Sequence, residues 1–222
     1  RTKKNVKVDK KKTPFLNAVY VASGNPMTEN ISIKKTAVDG KDRESAAPAF
    51  HPNGKLAYVT SWTTTGNRKI YQLNATPGTG KDWSEPIELG NQVNVKGFNS
   101  MQPFVTGDGK HLIFSSDRPG GSGKYDLWYS AIRADGSLGV AVNMGNVINT
   151  AEDEQAPYYN AGTKKLLYSS NGKVGMGGFD FYESEGDFGK WSEARNLGYP
   201  FNSSKDDLYF TPSDNTDSEG YI

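Results

Sequence analysis

Short apolar runs alternate with turn-rich polar stretches along most of the chain. Three of these runs read KLAYVTS, HLIFSS and KLLYSS, and they begin at Lys55, His111 and Lys165. Each follows a PNG, GDG or NAG turn, and Asn-Gly or Asp-Gly between apolar runs is typical of a β-hairpin. No stretch keeps a 3.6-residue apolar period over about 11 residues. The pattern therefore predicts strands joined by tight turns.

The runs belong to an internal repeat of about 54 residues. Each is preceded by a proline, at Pro48, Pro103 and Pro157. Each is followed by a second apolar run, RKIYQLN, KYDLWYS or GFDFYES, and then by a turn-rich tail. The tails share a glycine and an asparagine at Gly90 and Asn94, Gly145 and Asn149, and Gly198 and Asn202. Repeats of this length with about four short strands each indicate the blades of a β-propeller.

The fold class expected is therefore all-β, a partial β-propeller that belongs to a six-bladed or larger ring. Its units are expected at about 14–43 (partial), 44–98, 99–152, 153–206 and 207–222, the last being the start of a further blade that continues in the native protein. A four-stranded sheet buries its faces only against its neighbours. We expect Tyr58, Phe114 and Tyr168 to fill the layers between the blades.

Charge is distributed unevenly. Residues 1–12 hold seven Lys or Arg and one Asp, whereas the remainder has 19 Lys or Arg against 24 Asp or Glu. Residues 1–13 are expected to be a basic linker, and a nucleic-acid partner is not expected, because basic and aromatic residues are not interleaved. No apolar run of about 18 residues predicts a membrane span. The absence of cysteine excludes disulfides and thiol catalysis.

Two aspartates lie at the same position of successive repeats. Asp126 and Asp180 each follow a glycine-rich loop and begin an apolar strand. They could line the central channel and bind a ligand. The alternative, which we favour, is that each carboxylate accepts hydrogen bonds from its own loop.

Two loop residues are candidates for partner contacts. Trp62 and Arg118 are of the types enriched at interface hot spots, and loops on a rigid scaffold commonly carry recognition. Each could instead pack against a neighbouring loop.

No complete catalytic motif is present. The run Glu152, Asp153, Glu154 could supply paired carboxylates, although we favour a solvated loop whose carboxylates cap backbone N–H groups. The sialidase Asp-box, the G-x-S-x-G elbow and a full phosphate loop are missing. We therefore expect no catalytic residue, cofactor or metal. The alternative is a glycan-binding or glycoside-hydrolysing, sialidase-like propeller.

Longer motifs carry a family resemblance. FSSDRPGGSGKYDLWYS, INTAEDEQAPYY, GMGGFDFYES and WSEARNLGYPFNSSKDDLYF resemble the WD40-like, TolB-type propeller repeats of Bacteroidetes OmpA-family envelope proteins, over roughly residues 44–222. The resemblance implies a non-catalytic protein-interaction scaffold that is periplasmic and associated with the outer membrane. It extends to the OmpA-family component of the type IX secretion system, and it implies a peptidoglycan link through a domain not in this chain. The first unit departs from the pattern at VTSWTTTGNRKIY.

Overall fold

The computed structural model describes residues 17–25, 30–35, 43–78, 83–212 and 220–221. The basic linker expected at 1–13 lies outside them. The strands in chain order are β1 (Tyr20–Asn25), β2 (Asn30–Lys35), β3 (Arg43–Phe50), β4 (Leu56–Thr63), β5 (Lys69–Asn74), β6 (Ile87–Glu88), β7 (Ser100–Val105), β8 (His111–Ser116), β9 (Asp126–Ala131), β10 (Val142–Asn143), β11 (Glu154–Asn160), β12 (Lys165–Ser170), β13 (Asp180–Asp187), β14 (Lys190–Trp191), β15 (Arg195–Asn196), β16 (Thr211–Pro212) and β17 (Gly220–Tyr221). The described part of the chain contains no helix that could cross a membrane.

Three antiparallel sheets repeat one strand order. Sheet 1 is β3-β4-β5-β6, and sheet 2 is β7-β8-β9-β10. Sheet 3 is β11-β12-β13 with β15 as its fourth strand, while β14 pairs with the far end of β13. Two hairpins, β1-β2 and β16-β17, flank the three sheets along the chain. The all-β class and its four-stranded repeat are confirmed. The described residues form no closed ring, so the propeller stays a prediction.

The proline of each repeat marks a bulge in the first strand of its sheet. The residues before the three prolines, Ala47, Gln102 and Ala156, have left-handed backbone with φ of 50°, 53° and 49°. The strand pairing shifts register at each of these points. Proline lacks an N–H and cannot continue the ladder, so the chain bulges there. If the unit that contains sheet 1 is counted as unit one, the residues from 207 onward begin unit four. Tyr209, with φ of 64°, takes the same conformation near its start.

The sheets stack face to face through continuous apolar cores. One cluster between sheets 1 and 2 includes Tyr58 and Phe114, and another between sheets 2 and 3 includes Ile113 and Tyr168. Tyr58, Phe114 and Tyr168 are fully buried, as expected. The three residues do not occupy equivalent positions of the repeat, however. Tyr58 pairs with the residue after its bulge, as Ile113 does, so Tyr58 faces the following sheet whereas Phe114 and Tyr168 face the preceding one.

The segment that leads from one sheet to the next is here called a crossing. The repeated asparagines hold each crossing against the sheet that the chain has just left. Asn149 accepts a hydrogen bond from the Leu127 N–H at 2.8 Å and donates one to the Leu127 carbonyl at 3.0 Å. Asn94 makes the same two bonds with Ile70, and Asn202 makes them with Phe181. The side-chain amide thus imitates a paired backbone residue at the start of the third strand.

The hydroxyl residues at the end of each second strand join adjacent sheets. Their bonds to the beginning of the next unit run from the Gln102 N–H to Thr60 Oγ1, from Ser115 Oγ to the Glu154 carbonyl and from Ser169 Oγ to the Asp207 carbonyl. The Ser-Ser strand end of the repeat therefore has a structural cause. It satisfies backbone groups that bulged or terminal strand residues leave unpaired.

Candidate functional site

Two clefts lie between the first strands of the three sheets and the start of the fourth unit. Ala47, Gln102 and Tyr209 line both of them. The buried Gln102 side chain spans this junction, because its Nε2 donates to the Tyr209 hydroxyl at 2.7 Å and its Oε1 accepts from the Ala156 N–H at 3.0 Å. The first strands of units two, three and four are thereby tied to one another.

The first cleft, here called the apolar cleft, has a volume of about 410 Å³. Its lining is formed by the repeated prolines and by apolar residues that follow them. Phe104 and Tyr158, from adjacent sheets, meet edge to face there with ring centroids 5.3 Å apart. Because this lining follows the repeat, its composition is explained by packing between the first strands.

The second cleft, here called the polar cleft, has a volume of about 420 Å³ and lies where the first strands begin. Its lining combines aromatic, amide and cationic side chains with a few small ones. The lining residues are Asn17, Ala46, Ala47, Thr60, Trp62, Arg68, Met101, Gln102, Tyr125, Gln155, Leu208 and Tyr209. Cavities of this size with a few convergent polar groups are typical of binding sites.

Arg68 and Trp62 form the most distinctive contact of the polar cleft. The exposed Arg68 guanidinium lies over the Trp62 ring, 5.2 Å from its centroid, in cation–π geometry. Arg68 forms no ion pair with any described carboxylate, although Glu44 is near enough to interact with it electrostatically. Glu44 instead accepts hydrogen bonds from Asn17, which lower the pKa of its carboxyl. Arg68 hydrogen-bonds the Tyr125 side chain, and the guanidinium has further donors that a ligand can use.

The residues of this contact replace scaffold residues of the other sheets. Trp62 follows the hydroxyl pair of its strand, where sheets 2 and 3 have Asp117 and Asn171. Asp117 accepts from the Asn99 amide at 2.7 Å, and Asn171 accepts from the Asp153 N–H at 2.9 Å. Sheet 1 has an indole at this position, and the indole hydrogen-bonds the Glu44 carboxylate of the paired first strand.

Arg68 breaks the repeat in the same way. Its carbonyl accepts from the Ser100 N–H. In the same way, the carbonyls of Tyr125 and Phe179 accept from backbone N–H groups at the beginning of the unit that follows each of them. The two other sheets thus carry aromatic rings at the position where sheet 1 carries a guanidinium. Burial raises the pKa of the Tyr125 hydroxyl, which therefore stays a neutral donor near Arg68.

Arg118, predicted as a contact candidate together with Trp62, is buried between sheets 1 and 2. Its guanidinium donates to the carbonyls of Gln92 and Val93 and lies 4.8 Å from the Phe114 ring and 5.0 Å from the Trp128 ring. Burial lowers its pKa to about 10, so it stays charged at neutral pH. Arg118 therefore packs against the crossing that leaves sheet 1. Packing of this kind is the alternative that the sequence left open for Arg118.

Asp126 and Asp180 are also buried, and each contacts its own glycine-rich loop. Asp126 accepts hydrogen bonds from the Gly123 N–H at 3.1 Å and from the Asn143 amide at 2.8 Å. Asp180 accepts one from the Met176 N–H at 2.9 Å. Both carboxylates hold their loops, as the favoured alternative predicted, and neither lines one of the two clefts.

The acidic run caps backbone N–H groups, but it is not a solvated loop. Asp153 accepts from the Tyr125 N–H at 3.2 Å, and Glu152 forms an exposed ion pair with Lys124. Glu154 is fully buried and accepts hydrogen bonds from Thr150 and Ser170. Burial raises the pKa of the Glu154 carboxyl. Among the described residues, no group of three or more His, Cys, Asp or Glu side chains could hold a metal ion.

Of the four predicted candidates, the structure brings only Trp62 to a cleft. Sequence reasoning missed its neighbours Arg68, Tyr125, Gln102 and Tyr209. The signal that could have found Trp62 and Arg68 is the departure of the first unit from the repeat. The other neighbours come from units two and four, and only their packing brings them together.

Comparisons with known proteins give a likeness in fold. No protein-family model and no curated protein matches the sequence. Among solved structures, TolB from Acinetobacter baumannii is similar with 19% identity and a TM-score of 0.49, over 82% of this chain and 41% of that one. A putative TolB from Agrobacterium tumefaciens is similar with 15% identity and a TM-score of 0.36, over 75% of this chain and 69% of that one. The chain thus spans less than half the length of the Acinetobacter protein.

Proposed function

We propose that this chain is a non-catalytic protein-interaction module of the bacterial cell envelope, built as blades of a β-propeller. One observation carries the proposal. The side chains of sheet 1 that depart from the repeat, Trp62 and Arg68, lie together in the polar cleft. Residues that all units share serve the scaffold, whereas residues that break the repeat are free to serve recognition. Trp, Tyr and Arg are also the residue types that dominate interface hot spots.

The chemistry of the polar cleft suits a segment of a protein partner. Arg68 offers charged donors, while the amides of Asn17 and Gln155 can pair with backbone N–H and C=O groups. The Trp62 indole and the half-exposed Tyr209 ring supply apolar area. We propose that such a segment binds across this cleft with its anchoring side chains between Trp62 and Tyr209.

The proposed setting is the periplasm at the outer membrane. The motifs quoted above support it by their resemblance to the propeller repeats of OmpA-family envelope proteins. On the same ground we propose a role as a component of type IX secretion or of another peptidoglycan-linked assembly. The peptidoglycan contact would be made by a domain not in this chain.

Glycan binding is the alternative that the same cleft permits, because aromatic rings and amides also recognise sugars. Glycoside hydrolysis requires in addition two carboxylates, about 5–5.5 Å apart for retention or about 6.5–9.5 Å apart for inversion. The described linings of both clefts contain no Asp or Glu. A hydrolase acting in either cleft would therefore need carboxylates from beyond these linings. Glu44, which hydrogen-bonds Asn17 and Trp62 beside the polar cleft, is one described carboxylate in that position.

Co-purification from an envelope extract tests the proposal. We would compare the wild-type chain, the double variant Trp62→Ala/Arg68→Ala and the control Val140→Ser, which changes an exposed residue in the loop that precedes β10. We expect the wild type and the control to retain the same partner protein, and the double variant to lose at least about tenfold of it, since loss of one hot-spot pair costs 2 kcal/mol or more.

Two results would contradict the proposal. One is an unchanged partner profile for the double variant. The other is turnover of sialosides or aryl glycosides by the wild-type chain. Binding of a glycan without turnover, weakened by Trp62→Ala, would favour the alternative.

A further inference from the structure

An aromatic cluster lies at the boundary between sheets 2 and 3, at the turn that links β13 to β14. Phe188 of this turn stacks on His111, the first residue of β8, with ring centroids 3.8 Å apart and ring planes inclined by 19°. The rings of Tyr129, Tyr159 and Trp191 also contact Phe188, with centroids 4.8 to 5.7 Å away. We call the contact between His111 and Phe188 the aromatic joint, because it attaches the turn of sheet 3 to sheet 2.

The residue that the turn covers is different in sheet 1. Leu56 begins β4 as His111 begins β8, and both residues are half-buried. A turn of the following sheet lies against Leu56 as well, since a Cβ at Gly136 would be 3.3 Å from Leu56 Cδ1. The boundary between sheets 1 and 2 therefore has an aliphatic side chain where the boundary between sheets 2 and 3 has an imidazole. Packing at this position does not require a group that titrates.

The imidazole of His111 is poorly placed to carry a charge. Within the part of the chain that the structure describes, its buried Nδ1 has no hydrogen-bond partner. The neutral ring has an N–H on one nitrogen, whereas the imidazolium has an N–H on both. Protonation in the closed joint would therefore bury a charged donor without an acceptor, next to the Phe188 ring. Such a donor is costly, so the closed joint favours the neutral imidazole.

Charged groups near the joint act in both directions. The titratable and charged groups around it are Asp108, Lys110, Tyr129, Tyr159, Lys164 and Asp187. Asp108 and Asp187 favour the imidazolium, although Asp108 pairs with Lys110 at 3.7 Å and Asp187 pairs with Lys164 at 3.4 Å. Lys110 disfavours the imidazolium, and the two phenols stay neutral because burial raises the pKa of each. Burial is the largest influence on His111, and it lowers the pKa of the imidazole below the ordinary value of 6.5.

We infer that the aromatic joint is an acid-sensitive contact between sheets 2 and 3. At neutral pH the uncharged imidazole stacks on Phe188 and holds the turn of sheet 3 in place. As pH falls below 6.5, forms in which the turn has opened and the imidazole meets water take up a proton, whereas the closed joint resists protonation. The stabilisation by the joint is therefore complete above pH 6.5 and is lost as pH falls through the lower pKa of the closed state. The inference is independent of the polar cleft, whose lining contains neither residue.

Hydrogen exchange tests the inference. The backbone amides of residues 185–191 would be followed at about pH 5.5 and about pH 7.5, with rates corrected for the intrinsic pH dependence of exchange. In the wild type we expect opening of this segment to be at least about twofold greater at the lower pH. His111→Leu gives sheet 2 the residue of sheet 1 and should open equally at both pH values. The control His51→Gln changes the other histidine, whose ring contacts the Gly109 carbonyl, and should respond to pH as the wild type does.

A titration of the His111 ring, followed by its chemical shifts, gives a second measurement that needs no variant. We expect its midpoint to lie below that of a histidine in an unstructured peptide. His111→Gln replaces His111→Leu in the exchange experiment if the leucine variant does not fold. The inference would be overturned by an equal acid response of the wild type and the His111 variant, or by slower exchange in acid. A titration midpoint at or above that of the peptide would overturn it as well.

Discussion

Asn94, Asn149 and Asn202 show how single side chains define this structure. Each amide bonds to both backbone groups of one residue in the third strand of its sheet. Because backbone groups buried without partners are costly, these contacts require asparagine and explain its constant position in the repeat. The sequence predicts which asparagines matter, since their spacing is regular, but it does not reveal the partners.

Asn149→Ala should lower the free energy of unfolding by about 1–3 kcal/mol, because it leaves the buried Leu127 N–H without a partner, while the Leu127 carbonyl keeps its bond from the Met144 N–H. The matched control is Asn146→Ala in the same crossing, whose side chain makes one exposed bond to Ser122 and which should change stability by less than about 0.5 kcal/mol. Urea unfolding measures both variants. Equal stability of the two would show that the amide does not hold the crossing.

Glu154 gives a pH-dependent prediction. Burial raises the pKa of its carboxyl above the ordinary value of 4.5. A raised pKa in the folded state means that Glu154 favours folding most when it is protonated, and that this contribution is lost as pH rises above 4.5 through the folded-state pKa. Glu154→Gln stays neutral and should gain stability relative to the wild type between pH 4.5 and 7.5. A stability difference that does not change over this range would contradict the raised pKa.

The strands and their order could largely be predicted from the sequence, because alternating apolar runs, turn glycines and a fixed period all indicate the same elements. The facing of individual side chains could not. KLAYVTS and HLIFSS look equivalent when their aromatic residues are aligned. The bulges at Pro48 and Pro103 set a different register, however, so Tyr58 faces the following sheet whereas Phe114 faces the preceding one. A shift of one residue reverses every side chain of a strand, and composition does not report it.

The glycine-rich loops contain glycine because their backbone lies close to neighbouring segments, and not because the loops need to be flexible. A Cβ at Gly123 would lie 2.3 Å from the Thr150 carbonyl oxygen of the following crossing, whereas a Cβ at Gly107 would meet open space. Gly123→Ala should therefore destabilise the fold by about 2 kcal/mol or more, and Gly107→Ala by less than about 1 kcal/mol. Thermal unfolding compares them. Equal midpoints would show that the loop can move away from the crossing.

At the scale of the whole molecule, the clefts result from the packing of several units. The lining of the polar cleft runs from Asn17 to Tyr209 along the chain, and it combines residues of every described unit. Most positions have similar residues in every repeat. The few positions that differ are therefore hard to recognise in the sequence. Arg118, Asp126 and Asp180 stood out because of their residue type and proved to be buried. Arg68 did not stand out until its contact with Trp62 was seen.

We propose that the polar cleft is the surface that a protein partner contacts. The most direct test of this proposal is site-specific photo-crosslinking in the periplasm, with benzoylphenylalanine placed at Tyr125 in the cleft or at Val140, which is 81% exposed and lies beside the outer strand of sheet 2. We predict a discrete crosslinked protein from position 125 that disappears when Trp62→Ala/Arg68→Ala is added, and none from position 140. The same crosslink from both positions, or one that survives the double substitution, would contradict the claim.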